Sequence, residues 1–75
     1  MKTFYEIEFT DGSRFYRRPQ TASAAKAYVT HGLRYEGWKH EKIARINFVV
    51  EHLGGVARFV VYEMNAKLRK WEKIR

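Results

Sequence analysis

The sequence predicts an α+β fold: an antiparallel sheet of four or five strands with one helix packed on one face, in the order ββαβββ. Three observations predict it. Apolar and polar residues alternate from Thr3 to Thr10, with Tyr5, Ile7 and Phe9 on one side and Glu6, Glu8 and Thr10 on the other. That is the period of a half-buried strand. An alanine-rich stretch, Ala22–Ala27, follows with high helix propensity. Two further β-prone runs, Ile43–Glu51 and Val56–Glu63, flank a glycine pair, as the arms of a hairpin would.

The first strand meets Asp11-Gly12, a turn signal, and the chain returns as a second strand over Ser13–Arg18 until Pro19 ends it. A two-residue Asp-Gly loop would set Ile7 against Tyr16 and Phe9 against Arg14. A three-residue loop, Asp11–Ser13, sets Phe9 against Phe15 and Glu6 against Arg18, and so sorts apolar from charged. It is preferred, and it gathers Arg14, Tyr16 and Arg18 on the face away from Phe9 and Phe15. The helix is expected over Gln20–Leu33, with Thr21 or Ser23 as N-cap and an apolar face of Ala22, Ala25, Tyr28 and Val29. Gly32 is expected just past its end.

Arg34–Lys42 reads as a loop and holds Trp38, as either a lid on the core edge or a contact residue. The second hairpin turns on Gly54-Gly55, which pairs Glu51 with Arg58, Val50 with Phe59, Val49 with Val60 and Phe48 with Val61. Phe48, Val50, Phe59 and Val61 then face the core, and Asn47, Val49, Arg58, Val60 and Tyr62 face away. At the C-terminus Met64, Leu68, Trp71 and Ile74 fit a helical spacing. The short turn after a strand favours a last strand over Leu68–Ile74 instead, so the element is written as a strand with a helix as the alternative.

Seventy-five residues make a single domain, 1–75, with one core. There is no cysteine, which points to a reducing compartment, and the N-terminus lacks the apolar run of a signal peptide. Phe48–Val50 and Phe59–Tyr62 are too short to span a bilayer. The expectation is a soluble, cytoplasmic protein that does not engage membranes.

Fifteen Lys/Arg against eight Asp/Glu leave a net charge of +7, a statement about partners rather than fold. His31, His40 and His52 are scattered without ligand spacing, so no metal is expected. Ser13 and Ser23 sit at turn and cap positions, and no glycine-rich phosphate cradle is present. No catalytic constellation and no cofactor site are expected. Binding constellations are better formed. Arg14, Arg17 and Arg18 surround Tyr16, and the tail carries Lys67, Arg69, Lys70, Lys73 and Arg75 around Trp71. Basic residues interleaved with aromatics neutralise phosphates and stack on bases. The expected partner-binding set is Arg14, Tyr16, Arg17, Arg18, Tyr35, Trp38, Lys67, Arg69, Lys70 and Lys73, with both basic clusters on one sheet if the last strand joins it.

The layout as a whole is similar to small phage-encoded inhibitors, including type I anti-CRISPR proteins and inhibitors of host RNA polymerase. The Asp11-Gly12 hairpin, the helix at Ala22–Ala27, the Ile46–Val50 and Phe59–Tyr62 hairpin and the basic Trp71 tail carry that resemblance. It implies occlusion of a large nucleic-acid machine and carries over no functional residues. The expected function is thus a non-enzymatic basic module acting on nucleic acid or a nucleic-acid-containing complex. The alternative is an inhibitor that occludes a CRISPR effector or polymerase by protein contact. A third possibility is self-association through strand edges, with a dimer as one outcome.

Overall fold

A computed structural model describes residues 1–75. Four strands, β1 (Lys2–Phe9), β2 (Ile43–His52), β3 (Gly55–Asn65) and β4 (Lys70–Lys73), form one sheet in the order β1-β2-β3-β4, every neighbour antiparallel. The single helix, α1 (Ala22–Tyr35), joins β1 to β2 and packs on one face. The architecture is therefore α+β with an open antiparallel sheet. The C-terminal element is a strand, with Trp71 opposite Met64.

Thr21 caps α1: its Oγ1 accepts the Ala24 N–H at 3.0 Å, satisfying one of the free donors of the first turn. Ala25, Val29 and Gly32 are the buried stripe of the helix. Ala25 and Val29 meet Ile7, Ile43 and Ile46 in the core, ringed by Phe9, Phe15, Tyr28, Leu33, Trp38, Tyr62, Met64 and Trp71. The small side chains at Ala25 and Gly32 let the helix approach closely. Gly32 does not end the helix, which continues to Tyr35 with Glu36 as its cap. The left-handed residue beyond it is Gly37, at φ +75°, where a side chain would strain the backbone.

Ser13–Arg18 is not a regular strand. It meets β1 through one bridge, Glu8 to Arg14. The Phe9 N–H donates to Ser13 O (2.9 Å), the Phe15 N–H to Ile7 O (2.9 Å) and the Tyr5 N–H to Pro19 O (2.8 Å). The segment is a hook along the outer edge of β1, in neither expected register. Phe9 does not oppose Phe15, and Glu6 pairs with Arg14 and Arg58 rather than Arg18. The turn itself is tied by Asp11, whose Oδ1 accepts from the Ser13 N–H (2.8 Å) and Ser13 Oγ (2.6 Å). Those two donors, the hydroxyl first, hold the Asp11 carboxyl below the usual carboxylate range. A lowered folded pKa means that the stabilisation is complete above the unfolded value and disappears as pH falls through the folded one. Ser13→Ala should move the Asp11 titration up toward an ordinary carboxylate, read from its side-chain carbonyl shift by NMR.

The β2–β3 turn is Leu53-Gly54, not Gly54-Gly55, and Gly55 takes φ +139°. The register shifts accordingly: Glu51 meets Val56, Val50 meets Ala57, Val49 meets Arg58 and Phe48 meets Phe59. A bulge at Val61 then lets Tyr62 oppose Ile46, turning Tyr62 onto the helix side rather than away from it. The core sits elsewhere than expected as well. Phe48 and Val50 are only half-buried and Phe59 is 41% exposed, whereas Val49 on the far face is fully buried. The far face is covered by arginine side chains. The Arg18 guanidinium lies 4.5 Å from the centre of the Phe4 ring, and Arg58 opposes Val49, so their stems close over apolar neighbours.

Candidate nucleic-acid interface

The hook stands off from α1 and leaves a groove of about 900 Å³ between them. Its walls include Phe9, Phe15, Tyr16, Tyr28 and Trp38, with Arg14, Arg17, His31 and Glu36 among them. The helix supplies Ala24, Ala27, Tyr28 and His31, a stripe at the three- and four-residue spacing of one helix side. The small alanines open the space and the rings close it.

The aromatic wall is interlocked. Trp38 meets Phe9 edge-on at 5.0 Å and Phe15 edge-on at 5.3 Å, and Phe15 meets Tyr28 at 5.4 Å and Tyr16 at 4.9 Å. Such tilted and perpendicular pairs are the favoured ring geometries. The Trp38 ring lies against the helix at Gly32, and the Trp38 backbone N–H donates to the Gly32 carbonyl at 3.0 Å. The tryptophan is thus both the lid of the core and the floor of the groove.

At the mouth stands Arg17. Its guanidinium carbon is 5.5 Å from the Tyr16 ring centre and 5.8 Å from that of Tyr28, and its Nε donates to Tyr16 Oη at 3.3 Å. The hydrogen bond to Tyr16, with the Tyr28 side chain close by, raises its pKa further, so the charge is permanent. Arg17 is in no ion pair, whereas Arg14, Arg18, Arg45 and Arg58 are all engaged by Glu6, Glu8 or Glu51. Tyr16 is 78% exposed.

A smaller depression of about 270 Å³ lies on the other side of Trp38, bordered by Leu33, Lys39, His40, Glu41 and Arg69. Arg69, in the β3–β4 turn at φ +54°, reaches it from the tail. A basic path therefore runs from Arg17 across Trp38 to Lys39 and Arg69.

Of the residues expected to bind a partner, the fold brings Arg14, Tyr16, Arg17, Trp38 and Arg69 to this path. Arg14 is shared with the far face, where its Nε donates to Glu6 Oε1 at 3.1 Å. Tyr35 is 71% exposed beside His31, one ring outside the groove. Arg18 lies on the far face with Phe4 and Glu51. Lys67 is in the exposed β3–β4 turn, Lys70 opposes Asn65 and Lys73 opposes Tyr62. Apart from Arg69, the basic residues of the tail do not join those of the hook. The hook borders β1 and the tail strand is β4, at opposite edges of the sheet, separated by about 20 Å at normal strand spacing. Tyr28, His31, Lys39 and His40 join the site unanticipated. The available signal was the Ala24-Ala27-Tyr28-His31 stripe, which looks like core spacing until the hook is placed beside it.

No helix is long and apolar enough to cross a membrane. No family model matches the chain, and neither does any curated protein or solved structure.

Proposed function

We propose that the protein is a non-enzymatic module that binds single-stranded nucleic acid, free or within a ribonucleoprotein, in the cytoplasm. The observation that carries this reading is Arg17, an ion-unpaired guanidinium held over two tyrosine rings at the mouth of an aromatic groove. A duplex hides its base faces; a single strand offers them to Tyr16 and Tyr28 while Arg17 meets a phosphate. The strand then follows the basic path over Trp38 toward Lys39 and Arg69. The net charge of +7 draws the polyanion in.

The test is a salt titration of binding to short single- and double-stranded DNA and RNA. Single strands should bind more tightly than duplexes, with affinity falling steeply as salt rises. Tyr16→Ala should weaken binding by about 1–3 kcal/mol at fixed salt. Arg17→Ala should also flatten the logarithmic salt slope by about 0.7, the value for one phosphate contact on a single strand. An unchanged slope removes Arg17 from the contact, and a duplex preference removes the stacking groove.

Occlusion of a nucleic-acid machine by protein contact, as the resemblance to phage inhibitors implies, is the second reading. Tyr35 favours it: a largely exposed tyrosine with His31 as its ring neighbour is the residue type that anchors protein interfaces. Failure to bind any nucleic acid near physiological salt would select this reading.

A further inference from the structure

The two edges of the sheet are treated differently. The outer edge of β1 is covered by the hook, with three backbone hydrogen bonds. The β4 edge is four residues long and begins and ends with lysine, a common protection against stray pairing. Between them one stretch is bare. β3 runs from Gly55 to Asn65, but β4 pairs only with Tyr62–Asn65. Ile74 N–H reaches Val61 O at 2.9 Å and Arg75 Nε reaches Val60 O at 3.0 Å. Beyond them no strand, loop or side chain bonds the outer edge from Gly55 to Phe59.

His52 and Gly55 close the turn as a directly opposed pair. Alternation along an antiparallel ladder then points the backbone groups of Gly55, Ala57 and Phe59 at β2 and those of Val56 and Arg58 outward. The outward Val60 carbonyl taken by Arg75 has the same parity.

We propose that this edge pairs antiparallel with the same edge of a second copy, centred on Ala57. The segment is self-complementary in that register. Val56 and Arg58 of each copy exchange their N–H and C=O groups with Arg58 and Val56 of the other, which uses every outward group in the stretch. Ala57 meets Ala57, and each Phe59 lies opposite a Gly55, covering backbone that has no side chain of its own. The next register, centred on Arg58, sets arginine against arginine and is disfavoured. The two-fold axis runs perpendicular to the sheet, so both helices lie on the same side. The pairing also brings the fully exposed Leu53 of one copy to the end of β4 of the other, where Ile74 is 49% exposed. The hook and groove lie beyond β1, so this contact is independent of what the groove binds.

The experiment is sedimentation equilibrium over a wide protein concentration range, on the wild type and on Val56→Pro. Proline removes an outward N–H that has no partner within the monomer, and edge strands tolerate it. The wild type should move from monomer to twice that mass as concentration rises, and Val56→Pro should weaken association at least tenfold with an unchanged circular dichroism spectrum. If that variant does not fold, hydrogen exchange on the wild type decides, because the Val56 and Arg58 amides should become protected as concentration rises. A wild type that stays monomeric, a dimer untouched by Val56→Pro in its folded form, or Val56 and Arg58 amides that exchange equally fast at all concentrations overturns the proposal. Protection that appears only with an added extended peptide assigns the edge to a foreign strand instead.

Discussion

Gly32→Ala is expected to destabilise the protein by about 1–3 kcal/mol, although alanine is the better helix former. A Cβ on Gly32 would fall well inside contact distance of Trp38 Cδ2 and Cε3. Those atoms belong to the fused ring and not to a flexible tip. The ring is wedged by Phe9 and Phe15 and its backbone N–H is bonded to Gly32 itself, so it cannot step aside without breaking the aromatic wall. The sign should reverse in a second background. Trp38→Ala alone should cost about 3–5 kcal/mol as the removal of a packed aromatic. With the ring gone, adding Gly32→Ala should be neutral or stabilising by about 1 kcal/mol, its intrinsic helix preference. Urea denaturation of the four proteins of this cycle measures the coupling. Equal destabilisation by Gly32→Ala in both backgrounds would show that the Trp38 contact is not the cause. The same substitution should weaken the nucleic-acid binding proposed for the groove, since the groove floor moves with the ring.

Gly32 also shows why part of the fold was hidden. A glycine after an amphipathic stretch signals either a left-handed helix end or a close approach, and the sequence does not distinguish them locally. The approach of Trp38, six residues on, made it the second; Gly37 took the first role at φ +75°. Alternation over Thr3–Thr10 was readable, and the cap was narrowed to Thr21 or Ser23, because each depends on neighbours in the chain. The C-terminal strand was readable only as the better of two options, until Met64 was seen to face Trp71.

The second hairpin failed for a different reason. Leu53-Gly54-Gly55 allows more than one two-residue turn, and both registers give sensible cross-strand pairs. The observed register differs in setting Phe48 against Phe59. At the site, Arg14, Tyr16 and Arg17 were visible as a basic aromatic cluster. Their distribution was not, because it depends on the hook crossing the edge of β1, which sends Arg17 to the helix side and Arg14 and Arg18 toward the far face. The alternation of Glu6 and Glu8 suggested a solvated face, and the arginines of the hook and of β3 buried it.

Glu6→Ala should destabilise by about 3 kcal/mol, more than the loss of either arginine that contacts it. Glu6 is 4% exposed, and three donors converge on its Oε1: Arg58 Nε at 2.7 Å, Arg14 Nε at 3.1 Å and Asn47 Nδ2 at 3.1 Å. Removing the carboxylate deprives all three at once. The two arginine side chains are 39% and 43% exposed and can turn toward water, which keeps the cost at the low end for a broken buried pair. Asn47, at 1% exposure, cannot turn out. It keeps Glu8 as a partner for Nδ2 at 3.0 Å, but its Oδ1 already lacks one. Arg14→Ala should cost under about 1 kcal/mol, as a partly exposed pair, and Arg58→Ala should fall between. Glu6→Gln should recover part of the loss, because its amide oxygen can take the Oε1 position and accept from the same three donors, though without the negative charge. Glu6→Met with Arg58→Met should recover most of the loss, since well-packed apolar replacements of a buried pair are often neutral or better. Thermal and urea unfolding of these variants fixes the order. A Glu6→Ala cost no larger than that of Arg14→Ala would mean that the carboxylate is already solvated in solution and that the far face of the sheet is open.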